Sequence, residues 1–297
     1  MPEPPLTLDV EDCYRYCEAI ARAHHENFPR ASFLLPEALR PHVWALYAFV
    51  RSADDFADEP EYAGRRGAEL DKWEDHLLRA FHRGEADHPI FVALAKTVAE
   101  RDLPITHFSD LLDAFRMDLK IRRYGTWADL NAYVARAAHP IGRLLLGVFG
   151  VRDAERLRFG DELAAALALT NFWQDLARDL DRDRIYVPQE DLRHFGLGDA
   201  ALFARKQTPA LAALVRYECA RTRAVYERAR PLLSLVPGRI ALELGLFFHG
   251  GLRALARTEA NAGDAFAPRQ PLSTVDKARA LAGAAQTRAA ALLGRRG

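Results

Sequence analysis

The sequence lacks several features that would assign it directly to a class of protein. It has only 3 cysteines in 297 residues, an odd number that does not make a disulfide framework and that fits a reducing cytosol. Its 41 basic and 41 acidic residues cancel to a net charge of +0, so the basic footprint of a nucleic-acid-binding protein is missing. We therefore expect a cytoplasmic protein that binds no nucleic acid.

Long apolar runs are also scarce. No stretch approaches the roughly 20 apolar residues of a membrane span, and the acidic start, MPEPPLTLDVED, does not resemble a secretion signal. The Arg-rich C-terminus, from Arg279 to Arg296, could touch anionic lipid, although a solvated last helix is the simpler interpretation. We expect any membrane contact to be peripheral, at the inner membrane surface.

The familiar nucleotide and hydrolase motifs are missing as well. The chain contains no G-x-x-x-x-G-K-[ST] loop, no G-x-G-x-x-G fingerprint and no G-x-S-x-G elbow. It also has no Gly/Ser or Pro-rich linker, while its 49% hydrophobic content is ample for a sizeable core. We predict a single domain over residues 1–297.

Prolines and capping residues divide the chain into segments of helix length. The first helix would follow Asp9 and run to about Glu26, and the second would run from Pro36 to Asp58. Further helices are predicted over Gly67–Arg83, Pro89–Arg101, Pro104–Arg122, Trp127–Phe149, Ala154–Leu180, Pro209–Leu235, Arg239–Glu259 and Val275–Leu293. No segment with strict two-residue alternation predicts a strand. The predicted fold class is all-α, a helical bundle with a central cavity, because bundles build their sites from side chains on facing helices.

Two acidic clusters are the most informative feature that the chain does have. The first is DDFAD, which contains Asp54 and Asp58, and the second is DLARDLDRD, which contains Asp175 and Asp179. Each follows an apolar helical stripe, the first through Val43, Tyr47 and Val50 and the second from Ala164 to Phe172. Residues four apart lie on one helix face. Each cluster is therefore predicted to present two carboxylates together, on what would otherwise be a buried face.

Paired carboxylates on a buried face need a positive partner. Mg²⁺ is such a partner, because it binds through one or two carboxylates together with substrate phosphates. As a Lewis acid it would neutralise charge on a departing diphosphate, whose oxygens Arg51, Arg184 and Tyr186 could bind. The alternative is a solvated face on which Arg51, Arg178, Arg182 and Arg184 form ordinary ion pairs. The shared placement of both clusters at the end of an apolar stripe favours the metal.

Aromatic residues are frequent near both clusters in the sequence. Ionisation of an alkyl diphosphate leaves a carbocation, and aromatic faces stabilise cations. Most aromatic residues serve the core instead, so this support is weak. The residues concerned are Phe28, Phe33, Trp44, Tyr47, Phe49, Phe172 and Trp173.

These motifs resemble those of a known family. YAFVRSADDFADE (residues 47–59) and TNFWQDLARDLDRDRIYVP (residues 170–188) are similar to the two aspartate-rich motifs of the squalene/phytoene synthase family, and YVARAAHPIG (residues 133–142) is similar to its central helix motif. The similarity spans about residues 14–255. It implies an isoprenoid-synthase-type helical bundle, Mg²⁺ as the cofactor and an isoprenoid diphosphate as the substrate.

The resemblance also implies roles for single residues. The carboxylates would be catalytic as metal ligands, Asn171 would join them, and Tyr133 would be a further catalytic residue. The implied metal ligands are Asp54, Asp58, Asn171, Asp175 and Asp179. The implied substrate-binding residues are Tyr47, Arg51, Asn171, Gln174, Arg184, Tyr186, Asn27 and Phe28.

Departures from the common family pattern indicate a branch. Gln174 replaces an arginine of the second motif, Ala168 a glutamine, and His139-Pro140 a Gly-Thr pair, while HHENFP (residues 24–29) replaces a serine-containing stretch. HENFP and NFWQD resemble the bacterial hydroxysqualene synthase branch. Its members convert presqualene diphosphate to hydroxysqualene and diphosphate without NADPH, on a route to squalene and hopanoids. Loss of phosphate contacts would weaken a second diphosphate site, which an enzyme that ionises presqualene diphosphate does not need.

Two alternatives stay open at this point. One is an enzyme that condenses two prenyl diphosphates head to head to presqualene diphosphate, squalene or phytoene. The other is a non-catalytic relative, such as an assembly factor, which we would expect to lose motif aspartates. The hydroxysqualene synthase hypothesis further predicts pairing with a presqualene diphosphate synthase that supplies its substrate. His139, Tyr133 and Gln174 are candidates for positioning the quenching water.

Overall fold

The computed structural model describes residues 8–23, 34–269 and 271–293. These residues form α-helices joined by short loops, with single 3₁₀ turns at Glu37–Leu39, Pro60–Tyr62 and Ala262–Asp264. The helices are α1 (Val10–Ala23), α2 (Arg40–Asp58), α3 (Arg66–Arg83), α4 (Pro89–Arg101), α5 (Thr106–Asp118), α6 (Trp127–Ala137), α7 (His139–Val148), α8 (Ala154–Gln174), α9 (Leu176–Asp181), α10 (Gln189–His194), α11 (Asp199–Phe203), α12 (Pro209–Ala229), α13 (Leu232–Leu235), α14 (Gly238–Ala260) and α15 (Thr274–Leu293). Within the described ranges, β-structure is limited to an isolated bridge between Arg123 and Ile185. The all-α prediction is confirmed.

Helix ends agree best with the prediction where a proline marks the boundary. The predicted and observed bounds of α4 coincide, and α2 ends at Asp58 as expected, two residues before Pro60. Three long predicted helices are wrong, because each is divided near Ala138, Asp175 or Pro231. The helix predicted to end at Arg122 stops at Asp118, and α10 and α11 were not predicted.

The contacts divide the chain into two compact units. The first comprises residues 1–120 and 140–153, and the second comprises residues 121–139 and 154–297. The single domain predicted over residues 1–297 stays a prediction. None of the described helices combines the length and the apolar character needed to cross a bilayer.

In the first unit, α2 is anchored by an aromatic core. The Phe49 ring lies edge-on to Phe108 with a centroid distance of 5.3 Å and edge-on to Phe91 at 6.0 Å. Trp73 from α3 donates its indole N–H to the Phe49 carbonyl at 3.3 Å, which satisfies a buried donor. These contacts turn one face of α2 inward and leave the face with the acidic cluster partly open.

In the second unit, α8 is fixed against α12 by two buried hydrogen bonds. Trp173 donates to the Thr222 hydroxyl at 2.8 Å, and the Thr170 and Tyr226 hydroxyls lie 3.0 Å apart. The α14 backbone approaches the same place, since a Cβ on Gly251 would lie 2.1 Å from the Tyr226 hydroxyl oxygen. Both hydrogen-bonded residues of α8 are neighbours of the second acidic cluster, so this packing sets its position.

Candidate active site

The first acidic cluster lies on a half-buried face of α2. Tyr47, Arg51, Asp54 and Asp58 share this face, whereas the buried stripe on the other side runs through Ala53 and its neighbours. The prediction that the buried register continues through Tyr47 into the aspartates is therefore wrong. The aspartates lie beside the buried stripe, where the Asp54 side chain is 36% exposed and keeps part of its hydration, whereas the Oδ1 atom of Asp58 is buried.

Arg51 is the cation of this first cluster. Its Nη1 atom lies 3.1 Å from Asp54 Oδ2, and its Nη2 atom donates to Asp55. Burial lowers the pKa of Arg51, but the charges of Asp54 and Asp55 outweigh that effect and raise it. Arg51 thus forms the ion pairs of the alternative interpretation in this structure, and its role at the diphosphate stays a prediction.

The second cluster begins where a helix is interrupted. Helix α8 ends at Gln174 and α9 begins at Leu176, so Asp175 sits between them with φ −101° and ψ 17°. The i to i−4 pattern nevertheless continues, because the Asp175 N–H donates to the Asn171 carbonyl and the Asp179 N–H to the Asp175 carbonyl, both at 2.9 Å. Asp175 and Asp179 therefore keep close to helical spacing, with Asp179 buried and Asp175 half-buried.

Arg269 meets the second cluster from far along the chain. Its Nη2 atom donates to Asn171 Oδ1 at 3.0 Å, and its Nη1 atom donates to Asp175 Oδ2 at 3.2 Å. Arg269 was not among the site residues predicted from the sequence. No local pattern could have done so, because the contact spans 94 residues and depends on the fold.

The loop after the second cluster is pinned by an adjacent segment. The Arg184 N–H donates to the Asp179 carbonyl at 2.8 Å, and the Ile185 N–H donates to the Arg122 carbonyl at 3.0 Å. Arg123 braces the loop through Asp183, at 2.7 Å. These contacts hold Arg184 and Tyr186, two predicted substrate-binding residues, in buried positions next to the cluster.

Aromatic rings line this part of the second unit. Phe172 and Tyr186 stack with a centroid distance of 3.9 Å and an interplanar angle of 6°. Tyr133 lies 5.7 Å from Tyr186 and 6.2 Å from Phe172, and Tyr124 lies 5.2 Å from Tyr133. The structure thus brings the predicted residues Tyr133 and Tyr186 together, in a cluster whose faces could stabilise a cation.

Gln174 borders a cavity of about 50 Å³, which has room for a few water molecules. Trp173, Arg257, Asn261 and Arg269 also line it. The Gln174 Oε1 atom is buried and accepts no hydrogen bond from the described residues.

Two further predictions concern residues away from the clusters. His139 Nδ1 lies 3.9 Å from the buried Asp161 Oδ2, an arrangement that can orient an imidazole. Asn27 and Phe28, predicted to bind substrate, lie outside the described residues, as does the HENFP segment.

The donor atoms of the clusters fit Mg²⁺. Asn171 Oδ1 and Asp175 Oδ2 already converge on one cation, the Arg269 guanidinium. Mg²⁺ is held by oxygen ligands, usually one or two carboxylates with water and substrate phosphates, so this pair matches the share that a protein normally supplies. Among the described residues, no group of three or more His, Cys, Asp or Glu side chains forms a metal site by itself.

Comparison with known proteins places these motifs in one family. The model of the squalene/phytoene synthase family matches residues 21–277. The chain is 36% identical to the hydroxysqualene synthase of Rhodopseudomonas palustris over 74% of this chain and 75% of that protein. It is 32% identical to the 15-cis-phytoene synthase of Synechococcus elongatus, also over 74% and 75%.

A solved structure shows the same relationship. The squalene synthase HpnC from Alicyclobacillus acidocaldarius is 40% identical to this chain, with a TM-score of 0.80 over 89% of this chain and 98% of that one. The helical architecture of this chain is thus found in a solved structure of a similar protein. The chain belongs to the squalene/phytoene synthase family, whose members are enzymes that act on prenyl diphosphates.

Proposed function

We propose that this enzyme is a hydroxysqualene synthase. It would ionise presqualene diphosphate, rearrange the cyclopropylcarbinyl cation and capture the product cation with water. The products are hydroxysqualene and diphosphate, with no requirement for NADPH. The 36% identity to a hydroxysqualene synthase supports this proposal, but phytoene synthases are similar to nearly the same degree.

The observation that carries the proposal is Gln174. A neutral amide occupies the position where the second motif commonly has an arginine, and Gln174 lines a cavity with room for water. Loss of that arginine removes a charge from phosphate binding, and the amide offers an acceptor for the water that quenches the cation. Both effects suit an enzyme that ionises one diphosphate and adds water.

The charged residues would bind and release the diphosphate. When bound at Asp54, Asp58, Asn171, Asp175 and Asp179, Mg²⁺ supplies charge neutralisation on the leaving diphosphate oxygens. Arg51, on the same α2 face as Tyr47, would donate to phosphate oxygens, as would Arg184. The carboxylates hold their places through the helix contacts described above.

The aromatic cluster would protect the carbocation. The stacked faces of Phe172 and Tyr186, with Tyr133 beside them, provide negative π-electron density without a nucleophilic base. His139, paired with Asp161, and Gln174 are the candidates to orient the quenching water. Cytoplasmic location, peripheral membrane contact and a partner synthase that supplies presqualene diphosphate belong to the same proposal.

Product analysis tests the proposal directly. The purified protein is incubated with Mg²⁺ and without NADPH, in parallel with presqualene diphosphate, farnesyl diphosphate and geranylgeranyl diphosphate. We expect hydroxysqualene from presqualene diphosphate and no C30 or C40 product from the other two. Asp175→Asn serves as the inactive control. Asp181→Asn, which changes an exposed aspartate of the same segment bonded to Arg205, serves as the active one.

The second candidate is a condensing synthase, which the 32% identity to a phytoene synthase favours. Presqualene diphosphate or squalene from farnesyl diphosphate, or phytoene from geranylgeranyl diphosphate, would establish that activity and reject our interpretation of Gln174. Gln174→Arg sharpens the comparison. It should reduce hydroxysqualene formation if the amide positions water, and should leave a condensing activity unharmed.

A further inference from the structure

The Arg269 guanidinium occupies the place at which the second cluster would receive a metal ion. Its two terminal nitrogens bind the two oxygens that we assign to the metal, Asn171 Oδ1 at 3.0 Å and Asp175 Oδ2 at 3.2 Å. A lone pair that accepts from a guanidinium is turned toward that donor. Arg269 and a divalent cation therefore demand the same oxygen atoms.

The need for a cation at this point follows from the local charges. Asp179 is buried and lies one helical turn from the half-buried Asp175, and neighbouring carboxylates in such surroundings cost free energy unless a cation compensates them. A guanidinium is always protonated at neutral pH and binds carboxylates through a planar fork. Arg269 thus supplies the compensation that keeps the cluster in order before metal binds.

Arg269 is also placed so that it can leave. It follows the 3₁₀ turn Ala262–Asp264 and lies outside any helix, and its side chain is 26% exposed. It borders the cavity beside Gln174, so the guanidinium has space to rotate into. Displacement requires a change of side-chain rotamers and no movement of α8.

The first cluster provides a contrast. Arg51 lies on the same helix as its partners, three residues before Asp54 and four before Asp55, with a side chain only 15% exposed. Arg51 can keep its ion pair with Asp55 when Asp54 binds another cation. The two clusters therefore differ in their arginine. Arg51 lies on the same helix as its carboxylate partners, whereas Arg269 comes from a distant segment and can be displaced by a metal ion.

We propose that Arg269 is a positioning residue that holds Asn171 and Asp175 in the metal-free enzyme and competes with Mg²⁺ for their oxygens. The proposal rests on the metal role assigned to these two residues under the proposed function. If Arg269 competes with the metal, Arg269 weakens metal binding, and its substitution should increase the affinity for the metal. A residue that only supported the fold would have the opposite effect.

Metal binding without substrate tests this. Mn²⁺, which can be counted by electron paramagnetic resonance, is titrated into the full-length protein and into Arg269→Gln, Arg269→Lys and the control Arg216→Gln, which removes an exposed arginine of α12. We expect Arg269→Gln to bind Mn²⁺ on the order of fivefold more tightly, the size of a modest ion-pair competition. The Mn²⁺ affinity of Arg269→Lys should lie between those of the unmodified protein and Arg269→Gln, because lysine keeps the positive charge but loses the two-pronged guanidinium geometry. Arg216→Gln should match the unmodified protein.

Thermal unfolding gives a second readout. Without metal, Arg269→Gln should melt at a lower temperature than the unmodified protein, because Asp175 loses the ion pair with Arg269. Mg²⁺ should then raise its melting temperature by more than it raises that of the unmodified protein. Equal or weaker Mn²⁺ affinity in Arg269→Gln, or binding of Mn²⁺ by neither protein, would overturn the proposal.

The same preparations separate this inference from the proposed function. If the unmodified enzyme makes hydroxysqualene but Arg269→Gln does not bind Mn²⁺ more tightly, the proposed competition between Arg269 and the metal is rejected and the proposed function is supported. If the enzyme instead makes phytoene or squalene while Arg269→Gln binds Mn²⁺ more tightly, the proposed function is rejected and the competition between Arg269 and the metal is supported.

Discussion

At the scale of single residues, Glu218 on α12 shows how burial sets charge. The side chain is 1% exposed and lies 3.6 Å from Arg221, which itself donates to both oxygens of Asp191 at 2.8 and 3.1 Å. Burial raises the pKa of Glu218 to about 8, with Arg221 opposing the rise and Asp191 adding to it. Burial therefore keeps Glu218 a neutral carboxylic acid at neutral pH.

This residue predicts a pH dependence of stability. In the unfolded chain Glu218 would ionise near its ordinary pKa of 4.5, whereas in the folded chain it stays protonated to about 8. The unfolded state thus binds fewer protons in this window, and the free energy of unfolding falls as pH rises from about 5 to 8. Glu218→Gln should remove on the order of 3 kcal/mol of that fall, measured by urea unfolding at pH 5, 6.5 and 8.

Glu227 on the same helix is the matched control. Its pKa is lowered chiefly by the hydrogen bonds from Arg230, so its contribution has the opposite sign: it is present above the ordinary pKa and is lost as pH falls. Glu227→Gln should therefore leave the decline between pH 5 and 8 unchanged. If Glu218→Gln does the same, the carboxyl group is not held neutral by burial.

Asp175 predicts a catalytic effect at the same scale. Asparagine keeps the shape of the side chain but removes the charge that a metal ion needs, so Asp175→Asn should lower turnover by at least about 100-fold. Steady-state release of diphosphate measures this. Asp181→Asn should change it less than about twofold, because Asp181 is an exposed partner of Arg205. Similar losses in both variants would show that general charge, and not a ligand, is responsible.

Individual residues also show where prediction from sequence stops. Asp54, Asp58, Asp175 and Asp179 could be found because helical spacing is a local property. Arg269 could not, because its contact depends on how the chain returns to the end of α8. Tyr186 was identified from its place after the second cluster and Tyr133 by resemblance, and only the fold shows that their rings are neighbours.

At the scale of helices, predicted boundaries succeeded or failed for physical reasons. Pro89 and Pro60 marked the limits of α4 and α2 correctly, because proline is tolerated in a first turn and breaks an interior. Pro140 and Pro231 carried the same signal, yet the predicted helices ran through them. The interruption at Asp175 has no such mark, since the backbone hydrogen bonds on both sides continue.

The contact of α14 with α8 and α12 predicts a steric limit. A Cβ on Gly251 would lie 2.1 Å from the Tyr226 hydroxyl oxygen and 2.8 Å from Leu167 Cδ2. Gly251→Ala should therefore destabilise the protein by about 1–3 kcal/mol and disturb the Tyr226–Thr170 hydrogen bond that supports the second cluster. Thermal and urea unfolding measure the effect.

The neighbouring glycine provides the control on the same helix. A Cβ on Gly250 would meet only Leu272 Cδ1, at an ordinary 3.7 Å. Gly250→Ala should stabilise the protein by up to about 1 kcal/mol, because alanine has the higher helix propensity. Equal effects of the two substitutions would mean that α14 does not pack as closely as the structure shows.

At the scale of the whole molecule, the two aspartate clusters belong to different compact units. We predict from the family motifs that each cluster contributes to the binding of Mg²⁺ and diphosphate, and this prediction has a thermodynamic signature. A ligand that binds only the folded state raises its stability in proportion to the logarithm of its concentration over Kd. Mg²⁺ with inorganic diphosphate should then raise the melting temperature by about 5 °C at saturating concentrations.

A double-mutant cycle decides whether the clusters act together. If each cluster contributes to the binding of Mg²⁺ and diphosphate, Asp54→Asn and Asp175→Asn should each abolish most of the stabilisation, and the double variant should lose no more than either single one. Independent sites would give about half of the loss in each single variant and the sum in the double. Asp181→Asn, which leaves both clusters intact, should keep the full shift. Losses of half or less in each single variant would contradict this prediction, because each cluster would then be dispensable for most of the ligand-induced stabilisation.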